Sequence, residues 1–127
     1  GLGDVYKRQT LEDLLRLVED LQVGPVWDVG LLDSAAHRPQ TRLWGREAYT
    51  GLGMKAAALL DSLVRNHSLG DGNERLGWLA VVVFCSLNGV WLEAPDDDAF
   101  ELVVATAAGE RGIETNAASF ARWHARR

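Results

Sequence analysis

The run from Leu76 to Leu87 is apolar almost throughout, and it constrains the fold more than any other stretch of the chain. Val81-Val82-Val83-Phe84 within it would suit a buried strand, since β-branched and aromatic residues pack well on a pleated surface. The whole run is too long for a typical strand of about five or six residues. Asn88-Gly89 then closes it as a helix C-cap would. The run is therefore expected to form a buried central helix. It falls short of the roughly 18 apolar residues that a bilayer requires, so no membrane partner is expected.

The rest must supply helices that cover this one. The chain has 127 residues, 47% apolar and 24% charged, a composition that supports one folded domain without metal or disulfide staples. Cys85 is the sole cysteine, which excludes an intramolecular disulfide. Its neighbours Val82, Val83 and Phe84 mark it as a small buried hydrophobe, because a nucleophilic thiol needs a polar setting. No charged start leads into an apolar stretch, so no secretory signal is read and the cytoplasm is the expected location. A net charge of −5 argues against direct binding of nucleic acid, which needs a basic surface. The basic cluster Arg122, His124, Arg126 and Arg127 suits a solvated helix end.

Residues 1–9 lack periodicity and begin without Met; they are read as a leader, with 10–127 as a single helical domain. Thr10, with Asp13 three residues on, starts a helix whose face is Leu11, Leu14, Leu15, Val18 and Leu21. Gly24-Pro25 ends it. Asp28 caps a short helix through Leu31, Leu32 and Ala35 that Pro39 limits. A longer helix is expected from about Arg46 to Asn66, with Leu52, Ala56, Leu59, Leu60, Leu63 and Val64 inward and Lys55, Asp61 and Arg65 elsewhere. Val90 to Leu92 forms a short strand or extended turn. Pro95-Asp96-Asp97-Asp98 starts a helix, since the acids suit its positive end. A metal cluster there is disfavoured because consecutive residues diverge around a helix. A last helix begins near Thr115. The expected class is all-α: about six helices around a central apolar one.

Between two of these helices lies His67-Ser68-Leu69-Gly70-Asp71-Gly72-Asn73-Glu74-Arg75. Backbone amides of a glycine-containing turn that enters a helix make an anion nest. Gly72 lets a phosphate approach the backbone, and Arg75 can fork onto its oxygens. Asp71 can hold Mg²⁺, which takes one or two carboxylates plus phosphate oxygens and water. His67 can accept a proton near neutral pH. Phosphoryl or nucleotidyl transfer uses such parts. Taken singly, each residue is explained as well by a capped interhelical loop; five together favour the site.

The stretch Arg65 to Arg75 resembles the signature loop of the Fic/Doc family, His-x-Phe-x-Asp-Gly-Asn-(Gly or Lys)-Arg. Gly30 to Ala35 with Arg38-Pro39-Gln40, Lys55 to Leu60, Asn88-Gly89 and Ala107 to Glu110 resemble its Doc, or death-on-curing, branch. The likeness runs from about Leu11 to Trp123. It implies a Fic/Doc-type helical bundle. It also implies His67 as general base on a target hydroxyl, Asp71 on Mg²⁺, and Gly72, Asn73 and Arg75 on the phosphates of ATP. For the Doc branch it implies a toxin paired with an antitoxin of the Phd kind, which inserts a segment into a groove. Such a toxin phosphorylates a threonine of elongation factor Tu and stops translation; other Fic relatives transfer AMP.

Two positions depart from the pattern. Leu69 replaces Phe and still offers an apolar anchor. Glu74 stands where the Doc branch has Lys and AMP-transferring relatives have Gly. A carboxylate about 5 Å from a phosphate charge, at an effective dielectric near 20, repels it by roughly 3 kcal/mol, on the order of a hundredfold in affinity. Three readings follow: an ATP-dependent kinase toxin, an AMP transferase on the same scaffold, and a silent module that only binds an antitoxin.

Overall fold

The computed structural model describes residues 6–126 of the chain. Six helices carry the fold: α1 (Leu11–Leu21), α2 (Val29–His37), α3 (Gly51–Arg65), α4 (Asn73–Leu87), α5 (Asp96–Ala107) and α6 (Ile113–Arg122). Short strands join them: β1 (Arg42–Leu43) with β2 (Arg46–Glu47), and β3 (Val90–Leu92) with β4 (His124–Arg126), both pairs antiparallel. The all-α bundle expected from the periodicity is the fold observed.

The local signals at the first two helices act as read. The Thr10 hydroxyl accepts from the Asp13 amide, and the Asp13 carboxylate accepts from the Thr10 amide, closing a capping box. The Asp28 carboxylate accepts from the Leu31 amide and starts α2. Pro95 stands before α5, and Asp96, Asp97 and Asp98 occupy its exposed first turn. Among the described residues no three His, Cys, Asp or Glu side chains gather to hold a metal.

α4 runs through the centre. Leu76, Ala80, Val81, Phe84 and Cys85 are buried on it, against Ala56, Leu59, Leu60, Leu63 and Val64 of α3. The two helices approach most closely at Gly77, where a Cβ would lie 2.6 Å from Cγ1 of Val64. Leu14 and Val18 of α1, Leu32 and Ala35 of α2, Leu102 and Val103 of α5 and Phe120 of α6 complete the core. Burial pushes the Cys85 thiol up to about 12. At pH 8 its thiolate fraction is then on the order of 10⁻⁴. Iodoacetamide is expected to leave Cys85 unmodified in the folded chain and to alkylate it within minutes in denaturant, as read by mass spectrometry. Rapid labelling of folded protein would contradict the core assignment.

The structure corrects three expectations. The helix placed from Arg46 begins at Gly51 instead. Leu43 pairs with Arg46 across a two-residue turn, Trp44-Gly45, with both φ positive at 55° and 76°. Such a turn matches the twist of a hairpin, and the strands it joins displace the helix start. Lys55, expected on the polar face, is buried. Its ammonium pairs with the Glu47 carboxylate at 3.2 Å, donates to the Tyr49 carbonyl and lies 5.0 Å from the centre of the Tyr6 ring. A buried charge needs such partners, and here they come from the hairpin and the amino-terminal segment. The basic cluster is not a helix end: α6 starts earlier than Thr115 and stops at Arg122, and His124–Arg126 pair with β3. Arg127 lies outside the described residues.

Of the segment read as a leader, residues 1–5 lie outside the described residues. Residues 6–9 rest on the bundle: the Lys7 amide donates to Oδ1 of Asn88, and Nδ2 of Asn88 donates to the Lys7 carbonyl. Gln9 is buried. Among the described residues no helix is long and apolar enough to cross a membrane.

Candidate active site

α3 ends at Arg65, and the chain crosses to α4 through a loop held from below by the segment after α1. The Gly24 amide donates to the Asp71 carbonyl, Gly70 to Pro25, and Trp27 and Asp28 both to Ser68. Val26 and Leu69 face each other as an isolated antiparallel bridge. Leu69 is 1% exposed, so the apolar residue in place of the family Phe does anchor the loop in the core.

Two asparagines staple the loop. Asn66 accepts from the Ser68 amide and donates to the Leu31 carbonyl. Asn73 accepts from the Leu69 amide and donates to the Leu69 carbonyl. Both amide atoms of Asn73 are thus engaged within the loop. At the cleft, its contribution is its backbone N–H. Asn66 was missed as a contributor at the level of sequence. Its signal was an Asx-type turn, in which a short amide side chain bonds the backbone two residues on.

Gly72 is required twice. Its φ of +90° disfavours any residue with a Cβ, and a Cβ there would run into the side chain of Val23. It sits at the N-cap of α4 and offers no side-chain cap. The amides of Asn73, Glu74 and Arg75 precede the first intrahelical bond, which runs from the Leu76 amide to the Gly72 carbonyl. First-turn amides of this kind are free to receive an anion.

All five residues singled out in the sequence meet in one open cleft of about 540 Å³. His67, Asp71, Gly72, Asn73 and Arg75 line it, with Gly70 and Glu74. Val64, Val104, Ala107 and Ala108 form the opposite wall, which no motif announced. His67 stands at the loop's start with φ +55°, its side chain exposed. Asp71 is 84% exposed, and its carboxylate faces the Arg75 guanidinium at 3.6 Å. An exposed pair of this kind is worth about 0–1 kcal/mol and yields readily to a ligand. The donor set fits a magnesium nucleotide: one solvent-facing carboxylate for the ion, first-turn amides and a guanidinium for phosphate. Glu74 is exposed at the rim.

One group in the loop is poorly served. The Ser68 hydroxyl is fully buried and has no hydrogen-bond partner. Burying an unpaired hydroxyl costs about 1–3 kcal/mol. Ser68→Ala is therefore expected to raise stability by about 1 kcal/mol in denaturant titration, and a loss of that size would show that the hydroxyl has a partner in solution.

The comparisons with known proteins agree with this geometry. The family model described as "Fic/DOC family" matches residues 5–85. Toxin Doc of Mycolicibacterium smegmatis (strain ATCC 700084 / mc(2)155) is 54% identical over 72 residues, which is 57% of this chain and 55% of that protein. The chain therefore spans about half the length of that curated relative. A family match that covers the whole signature loop and most of the bundle, over helices in the expected order, has one meaning: the chain belongs to the Fic/Doc family.

Proposed function

We propose that this chain is a Doc-like toxin that uses ATP and Mg²⁺ to phosphorylate a protein hydroxyl. The observation that carries the reading is the single cleft shared by His67, Asp71, Gly72, Asn73 and Arg75. His67 takes the proton from the target hydroxyl. The freed oxygen attacks the γ-phosphorus, the bond from that phosphorus to the bridging oxygen breaks, and ADP leaves. Asp71 would hold Mg²⁺, which neutralises developing phosphate charge when bound. The amides around Gly72 and Asn73 and the Arg75 guanidinium orient the phosphates. The loop's backbone bonds to residues 24–28 hold these groups in place before the nucleotide arrives. The curated relative's name supports the toxin role. By the same likeness the target is a threonine of elongation factor Tu, translation is what stops, and a Phd-like antitoxin is the partner, with neither nucleic acid nor membrane bound directly.

The test is ATP labelled at either end of its phosphate chain. Label from the γ position on the target supports phosphorylation. Label from the α position on the target would overturn it in favour of AMP transfer, the second reading, which Glu74 keeps in view by matching neither branch of the family. Co-expression with and without the antitoxin tests the toxin role: equal growth with soluble folded protein would count against it.

Glu74 also motivates the silent reading, and it gives a graded prediction. Because Glu74 is exposed, water reduces its repulsion below the roughly 3 kcal/mol expected at dielectric 20. Glu74→Lys is expected to tighten ATP binding about tenfold by calorimetry and to raise activity. An unchanged affinity would show that Glu74 is harmless where it stands.

A further inference from the structure

A second cleft adjoins the first. It is an apolar groove of about 550 Å³ between α1, α4 and α5, walled by Leu21, Trp78, Val82, Phe100, Val103 and Val104. Phe100 is 69% exposed, unusual for a side chain of that size. Glu74, Arg75 and Val104 line both clefts, so the first turn of α4 is the ridge between them. The ridge is not electrically neutral toward the groove. The Arg75 guanidinium faces Asp71, on the phosphate side. Glu74 on the ridge and Asp96 at the start of α5 are left as the groove's carboxylates.

From this we infer that the groove takes an amphipathic helical segment of a partner that places a lysine or arginine on Glu74, and that this contact strengthens nucleotide binding in the neighbouring cleft. The inference rests on the nucleotide reading of that cleft. The apolar walls supply affinity for the segment's apolar face. The carboxylates select a basic rather than an acidic polar edge. The coupling follows from position. Glu74 repels phosphate from the same ridge on which the segment's cation sits, so a cation there cancels the repulsion. Binding free energies couple reciprocally, so the nucleotide must tighten the segment by the same factor. In this chain Glu74 would make the groove's occupant part of the phosphate site.

The probe is a synthetic fifteen-residue helix of leucine and lysine, with leucine at helical spacing, and its twin with glutamate for lysine. ATP with Mg²⁺ is titrated calorimetrically against the full chain, with each peptide and without. The expected result is ATP binding about tenfold tighter with the lysine peptide, and none of that gain with the glutamate twin. In the Glu74→Gln chain ATP alone should bind tighter and the lysine peptide should add nothing, which also controls for direct association of peptide with nucleotide. Phe100→Asp, on an exposed position away from the phosphate side, should weaken the lysine peptide and leave ATP affinity without peptide unchanged. If ATP binds the wild-type chain but the lysine peptide does not bind, or binds without changing ATP affinity, the inference is overturned and the nucleotide reading stands. If ATP binds neither the wild-type nor the Glu74→Gln chain, with peptide or without, the nucleotide reading falls and takes the inference with it.

Discussion

Replacement of His67 by Asn is expected to lower phosphoryl transfer by roughly 10²–10⁴-fold, the usual worth of a positioned general base. The fold and ATP affinity should be nearly unchanged. His67 is exposed, so its ring adds little to the core. Its φ of +55° is a conformation that Asn tolerates as well as His does, so the loop keeps its shape. His67→Ala should show the same kinetic loss with a small added cost in stability, since alanine adopts that conformation less readily. The measurements are single-turnover transfer of γ-label, calorimetric ATP affinity and a denaturant midpoint. Full activity in the Asn variant would remove His67 from the mechanism. A collapse in stability would give it a structural role that its exposure argues against.

The second large effect belongs to Gly72. Gly72→Ala forces a Cβ into the Val23 side chain and onto a backbone at φ +90°. The backbone part costs about 1–3 kcal/mol, and the collision about 1–3 kcal/mol more. A total near 2–5 kcal/mol is a large share of the stability of a domain this size, commonly about 5–15 kcal/mol. If the loop moves rather than unfolds, the amides at the start of α4 shift and ATP binding is lost. Val23→Ala should restore part of the loss in the double variant, because it relieves the collision and leaves the backbone cost. A double-mutant cycle reads the difference. Strict additivity of the two substitutions would show that Val23 does not crowd Gly72.

How far the site was legible depends on where each partner lies along the chain. His67, Asp71, Gly72, Asn73 and Arg75 are close in sequence, and the turn that enters α4 brings them into one cleft without help from distant segments. What each one does there was less accessible. Asn73 looked like a phosphate ligand, yet its side chain closes the loop onto Leu69. Gly72 looked like a concession to phosphate, yet Val23, far back beyond α1, also demands it. Lys55 looked solvated because its partners Glu47 and Tyr49 belong to a hairpin whose turn, Trp44-Gly45, the helical periodicity had masked.

By itself, then, the sequence determined the helices, their order and most of their caps, because these depend on residues three or four apart. It determined the chemical contents of the loop for the same reason. Only the tertiary structure decided that residues 24–28 brace that loop, that β4 pairs with β3 instead of extending α6, and that α5 supplies the far wall of the cleft. It alone placed Glu74 on a ridge between two clefts. Contacts of that kind join residues tens of positions apart, and the local periodicity that marks helices carries no record of them.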